Sequence, residues 1–289
     1  MRTSFRKLIS VFGFSSLALL LIGLAGVVWG TLIVANMRFG QALPWCLPAL
    51  CAFLYLLWSF LGGGGWPLST SVRRRVLLRA NPVPPAAYGW STVAGLLAIA
   101  SLAGLWIVMF RLVPMHPNPL LPGVVISSPV FRAAVLIGAS LLAPIVEESA
   151  VRGYLQSMLE RDYSAVTAVV LSSAVFALAH VTQGVVLPKL LFYFLVGVAF
   201  GSLALLNDSI LPVIPVHIAG DLIFFLFVWP YDQTRTLIWH SGTDLWFWLH
   251  VVQTIGLAAA SVLAFSRIRP ARRAEAAGKA GVPEASRAI

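Results

Sequence analysis

Six ionisable side chains lie in stretches of the sequence apolar enough for a membrane interior: Glu147, Glu148, Arg152, His180, His217 and Asp221. The first three share the segment Glu-Glu-Ser-Ala-Val-Arg-Gly, which follows the apolar run Ala-Val-Leu-Ile-Gly-Ala-Ser-Leu-Leu-Ala-Pro-Ile-Val. A carboxylate at bilayer depth costs at least about 2.5–3.5 kcal/mol, so it persists where it faces a partner or a water-filled cavity. On a helix Glu148 and Arg152 are i and i+4 and can pair. Glu147, about 100° around the helix, is left to face something else. Phe176 and His180 are one turn apart, as are His217 and Asp221. Two imidazoles and three carboxylates on three apolar helices share their burial cost best by meeting in one polar site.

That set can activate water. A carboxylate in a low-dielectric cavity becomes a stronger base, which suits general-base catalysis near neutral pH. A donor aimed at a developing oxyanion is worth about 2.7–4 kcal/mol in well-studied enzymes. The same residues offer a second chemistry: Glu147, His180, His217 and Asp221 could hold a divalent ion such as zinc, with its bound water as nucleophile. Neither His-Glu-x-x-His nor its inverse is present to favour it. Prolines mark the backbone around the site. Pro144, about one turn before Glu147, leaves the Ser140 carbonyl without its helical donor. Pro212 and Pro215 precede His217; with Pro215 near the first helical position, His217 would lie in the first turn with free amides facing the site.

The elements that must position these residues follow from composition. Of 289 residues 59% are hydrophobic and 10% charged, against about 25% charged in soluble domains. The expectation is an all-α, polytopic membrane protein with about eight transmembrane helices and a buried polar site between helices 4, 5 and 7. The spans are about Phe12–Ala35, Pro44–Leu61, Tyr88–Phe110, Val130–Leu159, Tyr163–His180, Lys189–Leu206, Ile210–Trp229 and Leu245–Phe265. Counted along straight spans, His180 falls toward the external end while Glu147 and His217 lie near mid-membrane. Residues 1–265 form one integral membrane domain, and the basic tail 266–289 is expected to be disordered and cytoplasmic.

Charge sets the orientation. Arg2, Arg6 and Lys7, the cluster Arg73-Arg74-Arg75 with Arg79, and the tail are basic, while the loop 113–129 has no Lys or Arg. By the positive-inside rule both termini are cytoplasmic and the 113–129 loop is external, in the cell (inner) membrane. The net charge of +10 is spent at these interfaces and on lipid headgroups, so nucleic acid is not an expected partner. The segment Val72–Leu78 is short and amphipathic enough to lie in the interface plane. Cys46 and Cys51 read as two buried thiols in a helix, with no metal or disulfide pattern. His116, His240 and His250 are placed in the external loop or at the external interface. Gly197 and Gly201, one turn apart, suit close helix packing and allow a homodimer contact.

Three motifs in order on separate apolar segments, Glu-Glu-x-x-x-Arg-Gly, Phe-x-x-x-His and His-x-x-x-Asp, resemble the CPBP family of intramembrane proteases, the CAAX prenyl endopeptidase and bacteriocin-processing group also called ABI. The resemblance covers about residues 130–229. It implies an endopeptidase acting near the cytoplasmic side on a membrane-associated protein or peptide. Glu147 then resembles the catalytic base, His180 a holder of the attacking water, Glu148 and Arg152 a fixing pair, and His217 a residue that holds water or stabilises the oxyanion. The prenyl-protease branch has Asn where Asp221 stands, and the wider family accepts Asp. Metal-dependent and metal-free mechanisms both remain open. Two rivals use the same residues: a proton- or ion-coupled transporter, which calls for an inverted repeat not found in the sequence, and a non-catalytic membrane scaffold.

Overall fold

The computed structural model describes residues 2–116, 126–181 and 184–268, with side chains from residue 9 onward. All regular elements among them are helical. Helix α1 (Arg2–Arg38) and helix α2 (Cys46–Leu61) lead to a short helix α3 (Ser71–Leu78) and the long helix α4 (Pro85–Leu112). Helix α5 (Pro129–Glu147) continues through a π-helical stretch, Glu148–Gln156, into α6 (Ser157–Asp162). Then come α7 (Ala165–Ala179), α8 (Leu187–Asn207), α9 (Val213–Ile223), α10 (Ile238–Ser241) and α11 (Leu245–Phe265). The expected disordered tail, from residue 269 on, and most of the expected external loop, 117–125, lie outside the described residues.

Among the described residues six helical stretches are long and apolar enough to cross a membrane: Ile9–Arg38, Pro85–Leu112, Pro129–Asp162, Leu187–Asn207, Val213–Thr234 and Leu245–Phe265. Cys46–Leu61 and Ala165–Ala179, expected as the second and fifth spans, have 16 and 15 residues. At about 1.5 Å per residue they fall short of a hydrocarbon core about 30 Å thick. The seventh stretch also differs from a simple span. Helix α9 stops at Ile223, widens into a π turn over Phe224–Val228 and tightens into a 3₁₀ turn over Trp229–Thr234. The loop expected after it therefore opens in helical geometry and contains α10.

Local chemistry explains the boundaries. Ser128, Ser164 and Asp244 cap α5, α7 and α11, each accepting from the amide three residues on, as short polar side chains do at helix starts. The Phe247 amide on its carboxylate, together with Arg111, holds Asp244 below the usual carboxylate range. Pro85 and Pro129 sit at first helical positions, where the missing N–H costs nothing.

Packing then fixes the bundle. Gly197 on α8 lies so close to α7 that a Cβ there would stand 2.9 Å from Ser173 Cα, and a Cβ on Gly201 would meet Val169 and Gln156. These two glycines, expected to suit a helix interface, serve a contact within the chain, so the face suggested for a homodimer is already covered by α7. Their carbonyls accept Arg152 Nη2 at 3.4 Å and Gln156 Nε2 at 3.0 Å, so two side chains one turn apart stitch the π-helical stretch to α8. Helices α4 and α11 are joined by Ser101 to the Thr254 carbonyl at 2.7 Å, Gln253 to the Ala100 carbonyl at 2.8 Å and Ser261 to the Ala94 carbonyl at 2.9 Å. His250 is buried there and bonds the Trp246 carbonyl through Nδ1. It packs within this helix pair, whereas His116 and His240 are exposed; of the two thiols expected to be buried, Cys46 is buried and Cys51 is exposed, on an outward face of α2.

A second polar anchor sits beyond α3. Arg79, in a left-handed conformation at φ 58°, is buried and grips both oxygens of Glu160 at 3.0 and 3.1 Å. Its Nε reaches Asp208 at 2.9 Å, and its carbonyl accepts the Ile210 amide at 3.0 Å. One arginine thus ties the end of α3 to α6, which follows the π-helical stretch bearing most of the first motif, and to the turn that leads into α9, which bears the third.

Candidate active site

Glu147 is the last residue of α5, and the π-helical stretch begins at Glu148. Pro144 inside α5 cannot donate to the preceding turn, and the i→i+5 geometry that begins four residues later is rare and found most often at functional sites. The two carboxylates diverge as expected. Glu147 lines a cavity of about 160 Å³ together with His180, Tyr193, His217 and Asp221. Glu148 lies behind that wall, fully buried, with Oε1 3.0 Å from Arg152 Nη1 and 2.8 Å from His217 Nδ1.

This shared oxygen is the hinge of the arrangement. One carboxylate neutralises the buried arginine and also orients the imidazole, leaving His217 Nε2 directed at the cavity side. Nε2 lies 3.6 Å from Asp221 Oδ1 and 4.0 Å from Glu147 Oε2. Arg152 is further packed against aromatic faces, 4.2 Å from the Phe176 centroid and 5.5 Å from that of Phe200, contacts that suit a planar guanidinium.

His180 caps the C-terminal end of α7, and its Nδ1 bonds the Phe176 carbonyl at 2.8 Å. A carbonyl only accepts, so Nδ1 carries the proton and the neutral ring keeps an acceptor at Nε2. The ring stacks on Tyr193 of α8, centroids 3.9 Å apart and planes 19° from parallel. His180 terminates the short helix α7 and lines one cavity with Glu147 and His217, which straight-span counting sets at different depths.

The expectation about α9 does need correction. The helix starts at Val213, with Pro212 as its cap, so His217 is the fifth helical residue and not in the first turn. The amides of Val213 and Ile214 donate to the Ile210 carbonyl at 3.0 and 3.1 Å, and Pro215 has none to offer. Free amides at that end therefore do not face the site.

The boundaries of α5 and α9 coincide with a family resemblance. Residues 129–223, from the first residue of α5 to the last of α9, match the family model for type II CAAX prenyl endopeptidase Rce1-like proteins. This stretch is similar to Rce1-like proteins. It spans about a third of the 289 residues and contains all six ionisable residues singled out above. The match agrees with the CPBP resemblance and suggests a peptidase in a multi-pass membrane protein. No curated protein and no solved structure matches the chain significantly.

Within the matched stretch the metal reading meets a geometric test. Among the described residues no group of three His, Cys, Asp or Glu side chains converges to hold a metal ion. The Nδ1 atoms of His217 and His180 are held by Glu148 and a backbone carbonyl, which leaves both Nε2 atoms available as metal ligands would need, but among the described residues no three of the side chains converge on one centre. The ligand set Glu147, His180, His217 and Asp221 does not fit a bound ion as it stands.

Sequence reasoning missed Tyr193. Its signal was available only in part: it lies on α8, which carries none of the three motifs, and a tyrosine in a span is usually packing. It also missed the Glu148–His217 bond, because residues 69 apart carry no periodic relation to one another.

Proposed function

We propose that the protein is a metal-free, glutamate-type intramembrane endopeptidase that hydrolyses a peptide bond of a membrane-associated protein or peptide. The observation that carries this reading is the joint lining of one cavity by Glu147, His180 and His217, with His217 oriented from behind by the buried Glu148–Arg152 pair. A scaffold has no need for such a constellation.

The chemistry follows from the atoms. A water bound between the Glu147 carboxylate and His180 Nε2 loses a proton to Glu147 and attacks the scissile carbonyl carbon. The C=O electrons move to oxygen, giving a tetrahedral oxyanion. His217, its Nδ1–H held by Glu148, meets that charge through a protonated Nε2, and Asp221 at 3.6 Å orients the ring from the cavity side. Collapse expels the amine, which takes the proton carried by Glu147. Tyr193 keeps the His180 ring in plane by stacking. Preorganised groups of this kind act where water is excluded and cost little reorganisation.

In this reading the two short helices α2 and α7 complete eight spans, with polar flanks and local bilayer thinning making up their length. The basic ends and the 73–79 cluster face the cytoplasm, and the chain resides in the cell (inner) membrane. Purified protein in nanodiscs, incubated with a library of membrane-tethered peptides with and without chelator, tests the proposal. Cleavage that survives chelation is expected. Loss of cleavage on chelation would replace the mechanism with a metal-dependent one, and absence of cleavage for every tethered peptide would remove the enzymatic reading.

A further inference from the structure

A second cavity, of about 370 Å³, is lined in part by the π-helical stretch and shares no lining residue with the polar site. Its volume is in the range of ligand pockets, about 300–1,000 Å³. Leu17 and Leu21 of α1, Phe60 of α2, Leu77 of α3, and Leu155 and Met158 behind the first motif supply apolar walls. The end formed by α3 is different: Arg73 and Arg74 stand there.

The two arginines have separate tasks. Arg74 is buried and spends its donors on the carbonyls of Phe60, Gly64, Gly65 and Pro67 and on Thr70 Oγ1, holding the turn before α3. Arg73 is exposed, makes no ion pair among the described residues, and no carboxylate lines the cleft. The surroundings place this charge at a membrane surface. Trp66, Leu68, Val72 and Val76 are 86%, 73%, 65% and 60% exposed, an apolar fringe beside Arg73 and Arg75 that suits an in-plane interfacial segment. Leu17 and Phe60, which line the cleft, are themselves outward-facing on apolar helices, at 54% and 41% exposure, so the cleft opens toward lipid.

We infer that this cleft is a binding site for an anionic phospholipid, with an acyl chain between α1, α3 and the π-helical stretch and its phosphate against Arg73. The chain itself gains little over the bilayer it leaves, so selectivity rests on the headgroup charge. One basic contact near a membrane surface is worth roughly fivefold in partition. Because Ala150, Tyr154 and Leu155 of the cleft wall belong to the helix that carries Glu148 and Arg152, an occupying lipid would brace that helix from behind. The inference stands whether or not the polar site is proteolytic.

The test uses the full chain in nanodiscs made of equal parts phosphatidylglycerol and phosphatidylcholine, followed by native mass spectrometry of the released protein and its retained lipid. Wild type is expected to retain phosphatidylglycerol over phosphatidylcholine by about fivefold or more. Arg73→Gln, an exposed change that leaves the fold intact, should bring the ratio close to one. Arg75→Gln, on the same helix but outside the cleft, should leave it unchanged. Leu17→Trp, which fills the cleft, should remove the retained lipid. Equal retention of both lipids by wild type, an unchanged ratio in Arg73→Gln, or an equal fall in Arg75→Gln would overturn the site. Loss of enrichment on adding inorganic phosphate would overturn it in favour of a free-anion site.

Discussion

Replacing Arg152 by leucine tests the frame of the site most sharply. Arg152 and Glu148 are both inaccessible to solvent, and one Glu148 oxygen serves both Arg152 and His217. The other, Oε2, finds no partner among the described residues. Removing the guanidinium leaves a buried carboxylate with an imidazole as its remaining partner. Breaking such a pair costs about 3–5 kcal/mol, a large share of a total stability of about 5–15 kcal/mol. At about 2–4 °C per kcal/mol for larger domains, the expected fall in Tm is roughly 6–20 °C. The second variant, Glu148→Leu with Arg152→Leu, removes both charges and should recover much of that loss, since apolar replacement of a buried pair is often neutral. It should stay below wild type by about 1–3 kcal/mol, because His217 Nδ1 is left without an acceptor. Tryptophan fluorescence during heating in detergent micelles reads all three proteins. A single variant within about 1 kcal/mol of wild type, or a double variant no more stable than the single, would refute the claim that this pair holds the site together.

Other expected outcomes are more local. Gly153→Ala places a Cβ 2.8 Å from the Leu78 carbonyl oxygen, a backbone atom that cannot swing away; overpacking of this kind costs about 1–3 kcal/mol, and an unchanged melting curve would show that α3 and the π-helical stretch are not in that contact. Arg79→Ala strands the buried Glu160, whose bidentate partner it is, so Tm should fall by more than in Asp208→Ala, whose carboxylate is 40% exposed; equal losses would contradict the assigned hierarchy. Asp244 has a depressed carboxyl, so its stabilising contribution is present above its unfolded value, about 3.9, and is lost as pH falls through the folded value. Asp244→Asn, which keeps a capping side chain, should therefore flatten the acid end of the stability profile, and an unaltered profile in urea titrations would count against the capping assignment.

Much of this arrangement was visible in the residues. Burial cost alone predicts that Glu147, His180 and His217 meet, since each would be expensive facing lipid, and i, i+4 spacing predicts the Glu148–Arg152 pair. The apolar runs located α1, α4, α8 and α11 to within a few residues at most ends, the extended start of α1 apart, because a membrane segment announces itself by length and composition. Backbone irregularity was less legible. Pro144 announces a disturbed helix, but whether the chain answers with a kink or a π turn depends on what packs around Glu148–Gln156. The start of α9 was misplaced for a related reason: the Ile210 carbonyl, outside the helix, takes the first amides, and sequence does not reveal that partner. The anchor at Arg79 escaped altogether, because its partners Glu160 and Asp208 are 81 and 129 residues away and a basic cluster near a membrane surface reads first as a topology signal.

The central claim, that Glu147 activates water in a cavity shared with His180 and His217, is tested most directly by the first-order rate of cleavage of one tethered peptide under single-turnover conditions, wild type against Glu147→Gln. The account predicts a fall of at least about 100-fold, the lower end of what a general base contributes, with Tm unchanged within error. A Glu147→Gln protein that cleaves at close to the wild-type rate would contradict it.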